Sequence, residues 1–381
     1  MYTILILSYS KLHSDPRVLR QIQVLEKDFD VYTVGLSASG KSKTIHISAK
    51  AKKKNTKLDT LYEALLSLMQ CDDELYWRSP HVSELFDKIC GCFKKKIPDV
   101  LICNEIGYLP LAVRLSETFS SKLMVDLHEY APTELEENFF WRLRFRQYYT
   151  RQFKKYLPKA NAVTTVCFSI CQLLKKKFNV HSEVIYNAPF YRDLTPSELS
   201  PRRIRLVHHG AAIRSRHLEI MIDSMKYLDD TFELNLILIP TDLNYIKELK
   251  NLSRGLHVNF HLPVPTEEIP GYLNQFDIGI FILPPVNFNY SIALPNKLFE
   301  FIQARLAIVV GPSIEMASIV KKYDLGKVTQ GFSAEEVALS IKSVNKETWI
   351  HYKHQSNAIS KELSFEKSAT ILNKLITDIL K

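Results

Sequence analysis

Four short segments of this 381-residue chain carry polar side chains of reactive types directly after apolar runs. The first, Ser8–Arg20, reads SYSKLHSDPRVLR and contains His13, Asp15 and Arg17. Its Asp-Pro step predicts a helix that begins at the proline and is capped by the aspartate or by the serine before it. The three polar side chains then lie at a strand-to-helix turn. They either bind a ligand there or only stabilise the capped turn.

The second segment, Asp126–Glu129, follows the run KLMV. Its histidine, His128, stands beside two carboxylates, those of Asp126 and Glu129. A neighbouring carboxylate can fix the tautomer of a histidine and keep its pKa near neutrality. The segment therefore predicts a general base or a substrate clamp, with a purely structural histidine as the alternative.

The third segment, Leu206–Glu219, reads LVHHGAAIRSRHLE and combines a strand, a glycine and a helix start with two arginines. Gly210 allows the backbone to approach a ligand, and Arg214 or Arg216 can bind phosphate oxygens through two parallel hydrogen bonds. The segment lacks the GxGxxG pattern of dinucleotide-binding domains, which argues against a nicotinamide cofactor.

The fourth segment, Asn289–Ala304, reads NYSIALPNKLFEFIQA and predicts a helix with Pro295 in its first turn. The free backbone N–H groups of such a helix start attract an anion, and Lys297 adds a point charge there. Glu300 shares the face of Lys297. Because a carboxylate repels a phosphate, Glu300 suits ribose hydroxyls better.

These segments need a scaffold that brings the ends of strands together. Short apolar runs alternate with amphipathic helical stretches, which predicts parallel sheets with crossover helices, and ligands bind beyond the carboxyl ends of such strands. The strands predicted for the first half are Thr3–Leu7, Asp30–Gly35, Val100–Cys103, Lys122–Leu127, Ala162–Val166 and Val184–Tyr186. After the polar stretch Arg192–Arg203 the pattern restarts, with strands Ile204–His208, Leu234–Ile239, Val258–His261, Ile278–Leu283 and Ala307–Val310.

The sequence therefore predicts two successive α/β units. The last stretch, Phe365–Lys381, carries apolar residues at helical spacing and predicts a terminal helix that packs back across the domains.

Composition narrows the classes of function. The six cysteines lack zinc spacing and predict buried, reduced thiols of a cytosolic protein. No run approaches the ~20 apolar residues of a membrane span, and the start MYTILILSYS predicts a strand rather than a signal peptide. The net charge of +9 calls for a polyanionic neighbour, but no nucleic-acid-binding motif accompanies it, so nucleic acid is not the expected partner.

Five motifs, taken in order, resemble the retaining GT-B glycosyltransferases of family four (glycosyl transferases group one), which serve bacterial surface-polysaccharide pathways. They are SDPRVLRQIQVLEK after the first strand, VDLHEY, VIYNAP at 184–189, RHLE at 216–219 and PNKLFEF at 295–301. The resemblance implies two Rossmann-like, doubly wound domains that face each other across a cleft, with the C-terminal helix packed on the N-terminal domain. It implies an acceptor-binding domain at 1–191, a linker at 192–203, a nucleotide-sugar donor domain at 204–364 and a crossover helix at 365–381.

The resemblance also implies roles for single residues. Arg216 and Lys297 would hold the diphosphate of the donor, and His128 would approach the transferred sugar. The ribose would be held by Glu300. The remaining donor-site residues would be Gly210, Arg214, Asn296, Tyr290 and Ser291, and the acceptor or sugar side would consist of His13, Asp15, Arg17, Glu129 and Asn187.

One position departs from the family pattern. Ile292 stands where the first of two glutamates, separated by seven residues, is usual. Isoleucine cannot accept a hydrogen bond from a sugar hydroxyl, so recognition of the donor sugar must use other groups, such as Tyr290, Ser291 or the backbone.

The expected reaction is transfer of a sugar from a nucleoside-diphosphate sugar to a glycan or lipid-linked acceptor, with retention and without a metal or cofactor. The two cations and the helix N-terminus would stabilise the departing diphosphate. The alternatives are a nucleotide-sugar 2-epimerase of the same fold and a non-catalytic nucleotide-sugar-binding protein. Ile292 is an argument for the second alternative.

Basic residues concentrate in the first half, at Lys52–Lys54, at Lys94–Lys96 and in Trp141–Lys159 (WRLRFRQYYTRQFKKYLPK). The last of these stretches alternates cations with aromatic residues and can dock on an anionic bilayer, or it can be a crossover helix with a solvated basic face. We expect a cytoplasmic protein with peripheral contact at the inner face of the cytoplasmic membrane.

Overall fold

The computed structural model describes residues 1–40, 45–50 and 72–381. The basic cluster Lys52–Lys54 and Cys71 lie outside the described residues. The chain divides into two compact units, one made of Met1–Ile185 with Ala369–Lys381 and the other of Tyr186–Ser368.

The first unit is built on a parallel sheet with the strand order β3-β2-β1-β4-β5-β6-β7. Its strands are β1 (Thr3–Ser8), β2 (Asp30–Gly35), β3 (Ile45–Ser48), β4 (Val100–Asn104), β5 (Lys122–Leu127), β6 (Ala162–Thr165) and β7 (Glu183–Val184). Its helices include α1 (Pro16–Leu25), α2 (Asp72–Trp77), α3 (Pro80–Cys92), α4 (Leu109–Phe119), α5 (Phe139–Tyr156) and α6 (Phe168–Phe178). The strands β1 and β4 are buried along their whole length, as expected of parallel strands with both faces covered.

The second unit contains a parallel sheet with the order β10-β9-β8-β11-β12-β13. Its strands are β8 (Ile204–Ala211), β9 (Phe232–Ile239), β10 (Val258–His261), β11 (Ile278–Phe281), β12 (Ala307–Val310) and β13 (Gly326–Val328). Its helices include α7 (Glu219–Ser224), α8 (Leu243–Leu252), α9 (Ile269–Leu273), α10 (Phe288–Ser291), α11 (Asn296–Gln303), α12 (Ile314–Lys322), α13 (Ala334–Lys342) and α14 (Lys346–Ile359). The final helix, α15 (Phe365–Leu380), begins in this unit, and its residues from Ala369 onward belong to the first unit.

Both sheets reverse their strand order beside the first strand of the unit. In the first sheet β1 lies between β2 and β4, and in the second β8 lies between β9 and β11. Successive crossovers leave such a strand in opposite directions, which opens a crevice at its carboxyl end where α/β proteins bind ligands. The predicted α/β architecture with two doubly wound sheets is confirmed.

All the strands predicted from the apolar runs are present, with ends shifted by up to three residues. The strands β3 and β13 are not among those predictions. Both lie at a sheet edge. In β3 only Ile47 is buried, and β13 is half-buried throughout, so neither forms an apolar run. The predicted C-terminal helix is confirmed as α15, whose buried residues include Leu372 and Ile376.

No disulfide joins the cysteines that the structure describes, but not all of them are buried. Cys103 and Cys167 lie in the interior, whereas Cys92, the last residue of α3, is exposed. The prediction of burial is therefore wrong for Cys92, because the helix ends there at the surface.

Candidate functional site

Gly210, Arg216 and Lys297 come together at the carboxyl end of β8. The backbone of Gly210 has a φ of 124°, a conformation that residues other than glycine rarely adopt. A Cβ atom at this position would lie 3.1 Å from Nζ of Lys297 and 4.0 Å from a terminal nitrogen of Arg216. Two cationic groups thus converge on a bare stretch of backbone, which is a surface that fits an anion.

Lys297 is a buried cation in the first turn of α11. Only 5% of the residue is exposed, and its Nζ lies 4.0 Å from the centre of the Phe281 ring. Burial, and secondly the charge of Arg216, lower the pKa of Lys297 well below its ordinary value, while Glu300 opposes the shift. Within the described part of the chain neither Lys297 nor Arg216 forms an ion pair, so an incoming anion is the partner that would stabilise both charges.

Arg214 does not join this pair. Its guanidinium donates to Asp242 over 3.0 Å and to the two oxygens of Glu248 over 2.6 and 2.8 Å. Half of the side chain is exposed. Of the two arginines in this segment, Arg216 is therefore the one beside Gly210.

Glu300 is a buried carboxylate one turn further along α11. Its Oε1 accepts a hydrogen bond of 3.1 Å from the side-chain amide of Asn296, and its Oε2 lies 3.2 Å from Nε2 of His209. Burial and the charge of Lys297 hold the pKa of His209 well below its ordinary value, so this histidine is neutral. The structure therefore places a carboxylate, an amide and a neutral imidazole next to the cationic pair.

Two hydroxyl groups lie in the segment before α11. The hydroxyl of Tyr290 is 3.1 Å from that of Ser215, and Ser291 donates to the carbonyl of Phe288 over 2.7 Å. Ile292 is buried, with 4% of the residue exposed. Its side chain is part of the packing of this segment.

In the first unit, Asp126 is the centre of a buried hydrogen-bond network at the end of β5. It accepts two hydrogen bonds from Arg17, of 2.8 and 2.7 Å, one from Gln21 of 2.5 Å and one from Thr164 of 2.8 Å. Burial acts to raise the pKa of Asp126, but Arg17 and His128 hold it well below the ordinary value. Arg17 is itself 2% exposed and donates to the carbonyl of Ile185, so it fixes Asp126 from the interior.

His128 has two carboxylates beside it, but the second one is not that of Glu129. Its Nδ1 is 3.1 Å from Oε1 of Glu105, and its Nε2 is 3.4 Å from Asp126. Glu129 is exposed to solvent. Glu105 directly follows β4, the strand that pairs with β5.

The other predicted residues occupy separate places. Asp15 is the N-cap of α1 and accepts from the backbone N–H of Val18 over 3.3 Å. His13 is exposed, with its Nδ1 2.7 Å from the hydroxyl of Ser37. Asn187 belongs to the second unit and is half-buried.

Comparison with known proteins gives a fold. No protein-family model and no curated protein matches the sequence. A glycosyltransferase from Rickettsia africae superposes with a TM-score of 0.73 at 12% identity, covering 100% of this chain and 99% of the other. Sucrose-phosphate synthase from Thermosynechococcus elongatus gives 0.74 at 13% identity, covering 100% and 99% of the two chains. HepE from Anabaena, in complex with UDP and glucose, gives 0.70 at 14% identity, covering 99% and 100%.

The chain has the GT-B fold. Each of these likenesses extends over nearly the full length of both chains, so both α/β units are part of the shared architecture.

The sequence analysis did not identify two residues of the candidate site, Glu105 and His209. Glu105 lies two residues after the predicted strand Val100–Cys103, and His209 directly follows the predicted strand Ile204–His208, next to Gly210. The rule that selects residues at strand ends applies to both of them. Neither residue lies in one of the five motifs that resemble the family, so the motifs did not point to them.

The basic stretch Trp141–Lys159 covers most of helix α5, and part of its charge is neutralised. Arg151 pairs with Asp72, at 2.5 Å, and Lys155 pairs with Asp73. Both aspartates belong to α2. Acidic residues of a neighbouring helix thus bind two cations of the stretch, and its docking on an anionic bilayer stays a prediction.

Proposed function

We propose that this GT-B protein is a glycosyltransferase that moves a sugar from a nucleoside-diphosphate sugar to a glycan or lipid-linked acceptor. The observation that carries the proposal is the convergence of Arg216 and Lys297 on Gly210. Neither cation forms an ion pair within the described residues, and the first turn of α11 supplies free N–H groups beside them. HepE, which shares the fold, binds UDP and glucose, and this supports a diphosphate as the anion.

The chemical role of this pair follows from where charge develops. When the bond between sugar and phosphate breaks, negative charge grows on the leaving diphosphate. Arg216 and Lys297 stabilise that charge most strongly because Lys297 is held in a dry environment, where electrostatic interactions are strong. In our proposal these cations and the helix N-terminus suffice without a metal, and the sugar is transferred with retention.

The neutral part of the donor fits the groups next to this pair. Glu300 accepts hydrogen bonds from the ribose hydroxyls, with Asn296 donating to its Oε1 and His209 lying 3.2 Å from its Oε2. Tyr290, whose hydroxyl lies beside that of Ser215, supplies the polar contact to the donor sugar that Ile292 cannot give. Ser291 and the backbone at Gly210 complete the proposed donor site.

The first unit takes the acceptor side in this proposal. His128 contacts the transferred sugar, and the turn that holds His13 and Asp15 shapes the acceptor site. Arg17 contributes through Asp126 rather than by direct contact, since it is buried. The product belongs to cell-surface polysaccharide synthesis, and the enzyme acts in the cytoplasm, at the inner face of the membrane.

Thermal denaturation with nucleotides tests the proposed donor site. A ligand that binds only the native state raises the melting temperature. We expect UDP, GDP, ADP or TDP at millimolar concentration to do so for the wild type, and Arg216→Ala and Lys297→Ala to abolish the effect. Lys226→Ala is the control, since it removes a positive charge from the same unit at a surface position paired with Asp223. No shift with any of the four nucleotides would reject the proposal.

Product analysis separates the transferase from its alternatives. A 2-epimerase that releases free nucleotide transfers the sugar to water and needs no acceptor, whereas a binding protein leaves the donor intact. A transferase releases nucleotide in proportion to the glycosylated acceptor formed. Chelation by EDTA should leave this transfer intact, and a loss of transfer that magnesium or manganese restores would contradict the metal-free mechanism.

A further inference from the structure

Glu105 has a backbone conformation that glycine normally occupies. Its φ is 66° and its ψ is 169°, a combination that is costly for a residue with a Cβ atom. The residue stands between β4 and the turn Ile106–Tyr108, at the carboxyl edge of the sheet. Strain of this kind persists where surrounding contacts enforce it, and it concentrates at functional sites.

The side chain of Glu105 contacts His128, and its backbone contacts Asp126. Oε1 of Glu105 accepts from the backbone N–H of His128 over 2.9 Å, and the same oxygen lies 3.1 Å from the ring Nδ1. The backbone N–H of Glu105 donates to the carbonyl of Asp126 over 2.9 Å. Glu105 therefore fixes both the main chain and the ring of His128.

The other ring nitrogen faces acceptors as well. Nε2 of His128 lies 3.2 Å from Oδ1 of Asn104 and 3.4 Å from Oδ2 of Asp126. Asp126 is an ionised acceptor, because Arg17, Gln21 and Thr164 all donate to it. A histidine with acceptors at both nitrogens is stabilised with a proton on each.

We infer that Glu105 is a positioning residue that holds His128 as a doubly protonated imidazolium, so that its Nε2–H is donated to an oxygen of the bound sugar. This inference rests on the proposed role of His128 in glycosyl transfer. The proton on Nδ1 is held by Glu105, whereas the one on Nε2 is shared between two acceptors at longer distances and can turn to a ligand. About a fifth of the His128 side chain is exposed, which gives a ligand access. His128 is then a clamp for the sugar and not a general base.

The charges around His128 agree with this state. Glu105 follows β4, Asp126 lies in β5 and Arg17 comes from α1, so two carboxylates and one guanidinium face the ring, and Asp126 binds the guanidinium. Burial acts to lower the pKa of His128, but Glu105 and Asp126 together raise it above the ordinary value. Burial also raises the pKa of Glu105, and the charge and backbone N–H of His128 oppose that shift.

Titration of the His128 ring by NMR tests the inference without any substrate. We expect a pKa above the ordinary value of about 6.5 in the wild type and a fall of about one unit or more in Glu105→Gln, which keeps the shape but removes the charge. Glu137→Gln removes a charge from an exposed position of the same unit and should leave the titration unchanged. A wild-type His128 that titrates at or below the ordinary value, or one that Glu105→Gln does not shift, would overturn the inference.

A second variant covers the case in which Glu105→Gln fails to fold. Glu105→Gly suits a φ of 66° and also lacks the carboxylate, so the folded variant should show the same fall in the pKa of His128. Once a donor and an acceptor are known, the basic limb of the kcat profile should move to lower pH in both variants by the same amount as the pKa. If the pKa falls but no nucleoside diphosphate binds to the wild type, the positioning role stands and the proposed transferase activity fails.

Discussion

At the scale of single residues, Lys297 should be a source of instability in the free protein. Its pKa is lowered by burial, so the unfolded chain binds more protons than the folded one between the folded pKa and the ordinary value of about 10.5. The free energy of unfolding should therefore rise as the pH rises through that window. Lys297→Met removes the buried charge and should raise the stability by about 1 kcal/mol at neutral pH. Denaturant unfolding near neutral pH and near pH ~9.5 measures both effects. A variant less stable than the wild type would show that the lysine is part of the core packing.

Arg216, Lys297 and Glu300 should give two kinds of kinetic effect. The two cations face charge that grows in the transition state, so Arg216→Ala or Lys297→Ala should each lower kcat by roughly 10²-fold or more. The ribose changes little during the reaction, so Glu300→Gln should mainly weaken donor binding, by about 1 to 3 kcal/mol. Steady-state kinetics and donor titration on folded variants separate the two, with Lys226→Ala as the control. Near wild-type kcat in both alanine variants at saturating donor would mean that the phosphate site is elsewhere.

Sequence reasoning identified residues at strand ends more readily than it identified their partners. The Asp126–Glu129 segment predicts a histidine between two carboxylates, and the structure has them, but one is that of Glu105, which directly follows β4. The pairing of Asn104 with Asp126 across β4 and β5 brings Glu105 next to His128, and such a register cannot be predicted from either segment alone. The choice between Arg214 and Arg216 likewise depends on acidic residues of α8 and its cap, far along the chain.

At the scale of elements, the position of α11 depends on close packing against β11. A Cβ atom on Gly279 would lie 2.4 Å from the ring of Phe301, which is fully buried. Gly279→Ala should push α11 and its Lys297 away from Gly210. We expect a loss of about 1 to 3 kcal/mol in the free energy of unfolding together with weaker nucleotide binding. Gly271→Ala, in α9, meets no atom within 4 Å and should stabilise the protein slightly. Normal nucleotide binding by Gly279→Ala would show that α11 need not be held so tightly.

The elements differ in how far the sequence predicted them. Buried central strands such as β1 and β4 are continuous apolar runs, and helices such as α1 carry an aspartate cap and a proline at their start, so both kinds are visible in the sequence. The edge strands β3 and β13 have a partner on one side only and are partly exposed, which removes the apolar signal. The left-handed backbone at Glu105 has no sequence signal at all, since glutamate does not favour it.

At the scale of the whole molecule, part of the net charge of +9 lies where cations and apolar side chains are exposed together. In α5, Phe139 is 59% and Leu143 67% exposed, and Arg142 and Arg146 are exposed beside them at helical spacing. Arg142 lies over the ring of Phe139, at 5.7 Å from its centre. No helix in the described residues meets the length and hydropathy needed to cross a bilayer. We propose the first half of α5, rather than Arg151 and Lys155, as the face that docks on an anionic membrane surface.

Sedimentation with vesicles distinguishes this face from a general effect of charge. The wild type should sediment with phosphatidylglycerol vesicles, less so at high salt, and should stay in solution with phosphatidylcholine vesicles, because the attraction is electrostatic and screened. Replacing Arg142 and Arg146 by glutamate should abolish binding, whereas the same change at Lys226 and Lys250 alters the net charge equally and should leave most of it. Equal losses in the two double variants would show that net charge alone attracts the protein to the vesicle.

The thermal shift with nucleoside diphosphate should be unchanged in both, since neither pair of residues belongs to the proposed donor site. A loss of that shift in the α5 variant would indicate misfolding rather than a lost docking face.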